Sequence, residues 1–439
     1  MPNMSWKEQY ADKLVSMETA AGKISSGDVL VSSIGIGLPY LFLDELAKRK
    51  DELEGVRFYF GAASKPFAML DKEYNRSFQL YDYFISASER NSIKDGSHIV
   101  YQPIHLSDTT KDRTGRHRAN VVVMAGCAPD ENGMISLGAC PIDDRVLDSS
   151  DLVIVQINEN LPYVRGEECM FPADRVDYLV EGLDELPSVR NVEPSPEEAK
   201  IAALIAERIP DGACIQLGTG GLGKAVGGFL KNHKDLGIHT EMFVETMVDL
   251  MECGAVNNSR KTLCPGLTEY GFANGSARMY RFMDRNPMLE SRPFRWVNDP
   301  KIICLNDNMV SVNGALQIDL TGQVCAESIG QRQFSGTGGQ MDFVRGARWS
   351  KGGMSFIAMP ASRIDKKTGE RVSKISLTLP AGSAVTTLRS DIQYFVTEYG
   401  VAELENEPLD ERAKRLIAVA HPDFRDELTF QAKKAGLIL

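Results

Sequence analysis

One acidic residue of the sequence has a setting that suits covalent chemistry. Glu241 lies near the end of a predicted strand, residues 238–243, and His239 is two positions earlier on the same face of that strand. A carboxylate in this position can act as a nucleophile or as a general base. Glu327, which precedes a glycine-rich segment, is an alternative nucleophile. Spacing alone also fits a solvated surface glutamate, so the pattern leaves these alternatives open.

Two pairs of neighbouring glycines are candidates for binding an anion. They are Gly220 with Gly221, and Gly338 with Gly339, and each pair lies close to the start of a predicted helix. Glycine lets the backbone approach a ligand closely, and the free N–H groups of a helix N-terminus attract a phosphate or an oxyanion. A tight turn that binds nothing explains the same spacing, so the glycines alone do not decide the function.

Several other chemistries are not indicated by the sequence. The six histidines have no metal-ligand spacing, and neither a Gly-x-Ser-x-Gly motif nor a complete P-loop is present. We therefore expect no metal site, no serine hydrolase triad and no NTPase. A dinucleotide-dependent oxidoreductase is a remote alternative, because glycine loops between a strand and a helix are typical of that class.

Composition limits the class of protein. The chain has 439 residues and carries 49 Lys and Arg against 60 Asp and Glu, for a net charge of −11. Such an acidic protein is not expected to bind nucleic acid, which requires clustered cations, although a local basic pocket remains compatible with it. No run of about 18 apolar residues is present, so we expect no membrane span and a cytoplasmic location. The eight cysteines are scattered and are expected to be reduced.

The elements that position these residues follow an α/β pattern with an internal repeat. Residues 24–35 match residues 209–220 at an offset of 185, and both copies run from a helix through a Gly turn and a strand into a glycine-rich loop. A second helix follows each copy, at 39–48 and at 224–231. We therefore predict two similar open α/β domains with mostly parallel sheets, at 1–193 and 194–439, joined near Pro194-Ser195-Pro196.

Nearly the whole chain resembles the acetyl-CoA hydrolase/transferase family, and within it the butyryl-CoA:acetate and 4-hydroxybutyrate CoA-transferases. No single segment is specific, but their order along the chain is. The matching segments include Asp130-Glu-Asn-Gly-Met-Ile-Ser-Leu-Gly138, Leu217-Gly-Thr-Gly-Gly221, His239-Thr-Glu-Met242, Ser335-Gly-Thr-Gly-Gly-Gln-Met-Asp-Phe-Val-Arg-Gly346, Val396-Thr-Glu-Tyr-Gly-Val-Ala402 and Ala420-His-Pro-Asp-Phe-Arg425.

The resemblance implies roles for these residues. It implies that Glu241 is the catalytic nucleophile, and that the active site lies between the two domains. It further implies that Gly338 and Gly339 help to form an oxyanion site, that Gly220 and Gly221 form a second site of backbone donors for the oxyanion or CoA, and that Glu398 lines the carboxylate pocket.

The implied activity is the transfer of CoA from a short-chain acyl-CoA to acetate or another small carboxylate. It would proceed by a ping-pong mechanism through a glutamyl-CoA thioester. Coenzyme A would be a substrate and product, with no permanently bound cofactor, and the family expectation is a homodimer or a dimer of dimers. An acyl-CoA hydrolase of the same family is the nearest alternative, and a CoA-binding regulatory protein without turnover is another.

Overall fold

A computed structural model describes residues 4–166, 168–188 and 192–439. The chain divides into two compact units. The first comprises Met1–Arg190, Phe243–Glu245 and Glu269–Val297, and the second comprises Asn191–Met242, Thr246–Thr268 and Asn298–Leu439. Two later segments thus belong with the first unit, and the predicted boundary between residues 193 and 194 stays a prediction.

A sheet of seven parallel strands forms the centre of the first unit. Along the sheet the strands run in the order β4-β3-β2-β1-β5-β6-β7. They are β1 (Val29–Ile34), β2 (Val56–Gly61), β3 (Phe78–Asp82), β4 (Ile99–Tyr101), β5 (Val121–Gly126), β6 (Leu152–Ile157) and β7 (Tyr178–Glu181).

Both faces of this sheet are buried, which explains its nearly continuous apolar strands. Every residue of β1 and β5 is buried. Successive side chains alternate between two cores: Leu30 belongs to one hydrophobic cluster and Val31 to the other, on opposite faces of β1. Because apolar side chains cover both faces of the sheet, other elements must pack against both faces.

The second unit has a sheet with a related order. Its strands β9-β8-β12-β13-β14 run parallel, and β15 pairs with β14 in the antiparallel direction. The strands of this sheet named so far are β8 (Cys214–Leu217), β9 (Gly237–Phe243), β12 (Met309–Gly314), β13 (Met354–Ala358), β14 (Tyr394–Thr397) and β15 (Gly400–Glu403). Between β9 and β12 along the chain come β10 (Thr268–Ala273) and β11 (Leu289–Ser291), which apart from Thr268 lie in the Glu269–Val297 segment of the first unit.

Fifteen α-helices occur among the described residues. They are α1 (Trp6–Gln9), α2 (Met17–Ala21), α3 (Tyr40–Ala47), α4 (Ala87–Lys94), α5 (Thr109–Thr114), α6 (Asp144–Asp148), α7 (Pro196–Ala206), α8 (Gly220–Phe229), α9 (Glu245–Glu252), α10 (Ala277–Met283), α11 (Phe294–Val297), α12 (Pro300–Ile303), α13 (Gln340–Trp349), α14 (Leu409–Ala418) and α15 (Pro422–Lys434). None of them has the length and apolar character needed to cross a membrane.

The two sheets confirm the predicted fold class of two similar α/β parts with mostly parallel strands. The order β2-β1-β5-β6-β7 of the first sheet matches β9-β8-β12-β13-β14 of the second. Val29 of β1 is in register with Arg57 of β2, and its repeat partner Cys214 of β8 is in register with Gly237 of β9. Counting four residues onward along β2 and β9 makes Gly61 the counterpart of Glu241 in the repeat. The backbone pairing reaches Gly61 after a register shift in β1, whereas the pairing of β8 with β9 is recorded as far as Ile238.

Candidate functional site

The Glu241 carboxylate is held by two donors of the second unit. Glu241 is the fifth residue of β9, and its side chain is half-buried. The Asn298 amide donates from Nδ2 to Oε2 of Glu241 at 2.8 Å. The backbone N–H of Gly339 donates to the same carboxylate. Two fixed donors hold the carboxylate in one orientation, and they can stabilise negative charge on its oxygens.

These surroundings place the pKa of Glu241 near neutrality. Burial raises the pKa of its carboxyl from the ordinary value to about 7, against the lowering effect of the Asn298 and Gly339 hydrogen bonds. Protonated and ionised forms therefore coexist at neutral pH. Only the ionised form is a nucleophile, and weak solvation makes that form more reactive.

The Gly338–Gly339 segment requires glycine for two different reasons. Gly338 has φ of +55°, a conformation that side chains with a Cβ adopt only at a cost. Gly339 precedes α13, and a Cβ at Gly339 would overlap both the carboxylate of Glu241 and the amide of Asn298. The close approach of the backbone to Glu241 therefore depends on the missing side chain.

Glu327 supports the loop that ends in these glycines. Its backbone carbonyl accepts the N–H groups of Phe334 at 2.8 Å and of Ser335 at 3.1 Å. Its carboxylate accepts a hydrogen bond from Oγ1 of Thr337 at 2.8 Å. The Glu327 side chain is buried, and burial raises the pKa of its carboxyl. Glu327 therefore forms hydrogen bonds to the loop through both its main chain and its side chain.

The second glycine pair lines a pocket at the carboxyl ends of three parallel strands. Gly218 to Gly223 line it together with residues that follow β12 and β13, and the cavity volume is about 250 Å³. Gly220 has φ of +87°, and the side chain of Thr219 makes no capping bond to the first turn of α8. Ligands of open α/β sheets commonly bind at this edge, where helix N-termini supply N–H donors.

The predicted start of this helix was wrong by four residues. The sequence predicts a helix from residue 224, whereas α8 begins at Gly220. Gly220 and Gly221 are thus in the first helical turn, and the glycines at 221 and 223 are needed for packing. A Cβ at Gly221 would overlap the carboxylate of Glu198, and one at Gly223 would overlap the carbonyl of Gly218.

Two charged side chains line the same pocket. They are Glu198, in the first turn of α7, and Lys374, which follows a short strand, Arg371–Ser373. Burial lowers the pKa of Lys374 to about 8, and the carboxylates of Glu398 and Glu198 act in the opposite direction. Glu398 accepts a hydrogen bond from the N–H of Ala361 at 2.8 Å. The pocket therefore contains a cation whose charge is sensitive to its neighbours.

Gln340 connects the two glycine pairs. It is the first residue of α13, directly after Gly339, and its Nε2 donates to the carbonyl of Gly314 at 2.7 Å. Gly314 is the last residue of β12 and lines the pocket of Gly220 and Gly221. Thr387 donates from Oγ1 to the Gln340 amide oxygen at 3.2 Å. A shift of the Gln340 side chain would therefore disturb both the backbone at Gly339 and the pocket lining at Gly314.

The structure thus groups the predicted residues in two neighbourhoods of the second unit. Glu241 lies against Gly339, while Gly220 and Gly221 line the pocket that also contains Lys374. Asn298 and Lys374 were not predicted. The Asn298-Asp-Pro sequence indicates a helix start, but no sequence signal shows that the amide reaches a strand 57 positions away.

Arg345 of α13 forms an ion pair with a residue distant in sequence. The spacing of Asp342 and Arg345 suggests a pair across one helical turn. Instead Arg345 pairs with Asp391, with 3.3 Å between Nη2 and Oδ2, and Asp342 is buried on the other side of α13 from the solvent. Asp342 lies on the buried face of α13 with the apolar side chains of that helix. Arg345 therefore contacts a different segment of the chain.

Two family models match the sequence and together cover most of it. The acetyl-CoA hydrolase/transferase N-terminal domain matches residues 1–189, and the C-terminal domain of the same family matches residues 275–432. The chain belongs to the acetyl-CoA hydrolase/transferase family. The resemblance predicted from the sequence is therefore confirmed.

Relatives that match this chain over nearly its full length include CoA-transferases. The chain is 37% identical to 4-hydroxybutyrate coenzyme A transferase of Clostridium kluyveri, over 98% of this chain and 100% of that protein. It is 37% identical to butyryl-CoA:acetate CoA-transferase of Anaerostipes caccae, over 99% of each. Acetyl-CoA hydrolase of Candida glabrata is more distant, with 26% identity over 89% of this chain and 82% of the other.

A solved structure agrees with the fold. RipA from Yersinia pestis superimposes with a TM-score of 0.91 at 38% identity, over 99% of this chain and 100% of that one. Together with the full-length relatives, this similarity identifies the enzyme class as an acyl-CoA:carboxylate CoA-transferase, as predicted.

Proposed function

We propose that this CoA-transferase moves CoA from a short-chain acyl-CoA, of the butyryl or 4-hydroxybutyryl type, to acetate or another small carboxylate. The relatives named above support these substrates. The reaction would follow a ping-pong course through a glutamyl-CoA thioester on Glu241. The observation that carries this proposal is the Glu241 carboxylate held between the Asn298 amide and the Gly339 N–H, with its pKa near 7.

Each half-reaction conserves the thioester. The Glu241 carboxylate attacks the acyl-CoA carbonyl, forming a mixed anhydride and releasing CoA as the thiolate. The thiolate then attacks the glutamyl carbonyl, which forms the glutamyl-CoA thioester and releases the first acid as its carboxylate. The second acid repeats these steps in reverse and leaves as a new acyl-CoA, so that Glu241 is regenerated without ATP.

Two carbonyls are attacked in turn, and each attack develops an oxyanion. When the glutamyl carbonyl is attacked, its oxygen needs donors near the place that the Glu241 oxygens occupy, and the Gly339 N–H and Asn298 amide are such donors. One well-placed donor typically contributes about 3–4 kcal/mol to the transition state. The N-terminal turn of α8 at Gly220 and Gly221 offers the second set of backbone donors.

The direct test is covalent trapping on the intact protein. Incubation with butyryl-CoA and then borohydride should convert the glutamyl thioester to a primary alcohol, with the corresponding loss of mass in wild type. Glu241→Ala should show no change, because the nucleophile is gone. Glu327→Gln is the matched carboxylate control and should still be labelled. Labelling that survives in Glu241→Ala and disappears in Glu327→Gln would move the chemistry to Glu327.

Hydrolysis is the alternative that needs a separate measurement. Loss of butyryl-CoA should depend on added acetate, and acetyl-CoA should appear in equal amount. Release of free CoA at the same rate with and without acetate would instead favour an acyl-CoA hydrolase.

A further inference from the structure

A cationic hairpin begins and ends at the pocket of Gly220 and Gly221. Its strands, Ser362–Ile364 and Arg371–Ser373, pair antiparallel. Ala358, Met359 and Pro360 lead into it and Lys374 follows it, and all four residues line the pocket. The hairpin therefore extends from the rim of the pocket towards solvent.

The charge of this hairpin is opposite to that of the protein. Residues 362–374 include five cationic side chains and two carboxylates, in a chain with a net charge of −11. The cations are Arg363, Lys366, Lys367, Arg371 and Lys374, and the carboxylates are Asp365 and Glu370. The net negative charge of the protein repels a polyanionic ligand. A local cluster of cations at a binding site offsets this repulsion.

The tip of the hairpin is ordered by one of its own carboxylates. Oδ1 of Asp365 accepts the N–H groups of Lys367 at 2.8 Å and Thr368 at 3.3 Å, and Oδ2 pairs with Arg363 at 3.1 Å. Asp365 is thus occupied within the turn. Lys366 and Lys367 are exposed, and neither forms an ion pair with any residue in the described ranges.

The hairpin also exposes one apolar side chain on each face, Ile364 opposite Arg371 and Val372 opposite Arg363. The Ile364 side chain is 52% exposed and that of Val372 is 37% exposed. Apolar surface next to cations suits a ligand that carries both a heterocyclic base and phosphates.

We propose that this hairpin binds the nucleotide end of CoA, with Lys366 and Lys367 contacting its phosphate groups. The inference rests on the proposed function, because it takes CoA as the ligand of the adjoining pocket. The geometry is compatible with this division. At about 3.3 Å per residue, the four steps from Ser362 to Lys366 place the tip within about 13 Å of the base of the hairpin. The thiol end would lie in the pocket and the phosphates outside it.

The test compares substrates with and without the nucleotide. Lys366→Gln/Lys367→Gln should raise the KM for butyryl-CoA about fivefold to tenfold with little change in kcat, because two phosphate contacts are lost. The KM for S-butyrylpantetheine, which lacks the nucleotide, should stay the same. Higher NaCl concentrations should raise the butyryl-CoA KM of wild type more steeply than that of the variant.

The matched control removes two neighbouring exposed lysines elsewhere. Lys433→Gln/Lys434→Gln changes the net charge equally at the end of α15 and should leave the butyryl-CoA KM unchanged. An equal KM in both double variants, or an equal rise for both substrates in the hairpin variant, would overturn the proposal. Calorimetric titration of CoA into each protein separates this result from failure of the proposed transfer reaction, since binding is measured without turnover.

Discussion

At the scale of single residues, two opposing effects determine the pKa of the Glu241 carboxyl. Burial favours the neutral carboxylic acid, while the Asn298 amide and the Gly339 N–H favour the carboxylate. The result is a pKa of about 7, at which the nucleophilic form is substantially populated yet poorly solvated. Changing either donor should therefore alter the pH dependence as well as the rate.

Removal of the Asn298 donor should move the acid limb of the pH profile. In Asn298→Ala the pKa of Glu241 should rise further above 7, because burial is then less well opposed, by about one unit for a hydrogen bond to a charged group. The proposed mechanism needs the ionised form of Glu241, so kcat/KM should rise with pH through a higher midpoint than in wild type. A profile of kcat/KM from pH 5.5 to 9 measures this midpoint.

The control for this profile is Asn132→Ala, at an exposed asparagine in the first unit. Its midpoint should match that of wild type. If the Asn298→Ala midpoint also matches wild type, the rate-limiting ionisation belongs to another group.

A methyl group at Gly339 should remove most of the activity without unfolding the protein. The added Cβ of Gly339→Ala overlaps Glu241 and Asn298, so the side chain of the proposed nucleophile must move, and a displacement near 1 Å commonly costs about 100-fold in kcat. Gly228→Ala is the matched control, because its Cβ enters open space on an exposed turn of α8. Circular dichroism of both variants should resemble wild type, and retained kcat in Gly339→Ala would contradict the close packing at Glu241.

At the scale of elements, the sequence predicts single strands and loops better than the contacts between segments that are distant along the chain. Strands around residues 238–243 and the glycine-rich segments are encoded locally, by apolar runs and by glycine, and they were predicted close to their observed positions. The Asn298 contact is not local: it depends on an irregular segment between α11 and α12 that returns to β9. Arg345 meets Asp391 for the same reason, because packing of whole helices decides which charges face each other.

The loop before α13 offers a test of such a connection. Thr337→Val removes the hydroxyl that binds the Glu327 carboxylate and leaves the volume nearly unchanged. We expect kcat to fall about tenfold with little effect on the KM for butyryl-CoA, since the loop positions Gly339 rather than binding the nucleotide. Steady-state kinetics measure both parameters.

Thr337→Ser supplies the control for this effect, because it restores the hydroxyl without the methyl group. Its kcat should return close to the wild-type value. If Val and Ser variants lose activity equally, the Thr337 side chain acts through its packing and the contact with Glu327 is incidental.

At the scale of the whole molecule, stability should depend on a buried pair of acids distant from Glu241 in sequence. Asp82, at the end of β3, and Glu89, in α4, are both fully buried. Burial and the neighbouring Glu89 charge raise the pKa of Asp82 well above its ordinary value, and burial raises the pKa of Glu89. The folded protein thus binds protons more tightly here than the unfolded chain does, so stability is lost as pH rises through the folded pKa values.

Asp82→Asn should therefore stabilise the protein, and more so at higher pH. Asparagine cannot ionise and can donate from Nδ2 to Glu89, so the melting temperature at pH 8 should rise by about 2–4 °C, with a smaller gain at pH 5. Thermal unfolding followed by circular dichroism at both pH values measures the difference. Asp51→Asn, at an exposed position, should change neither value, and a lower melting temperature of Asp82→Asn at pH 8 would show that the charge is needed.

The correspondence between Gly61 and Glu241 bears on the history of the chain. In the first sheet, any Cβ at position 61 would overlap the ring of Tyr83, so this copy cannot accept a glutamate without rebuilding its surroundings. If both sheets descend from one ancestor, the copies have diverged: one carries Glu241, the proposed nucleophile, and in the other the ring of Tyr83 occupies the space that a side chain at position 61 would need. Selection on the two copies should then differ, with slower substitution at the end of β9 than at the end of β2 across the family's descendants.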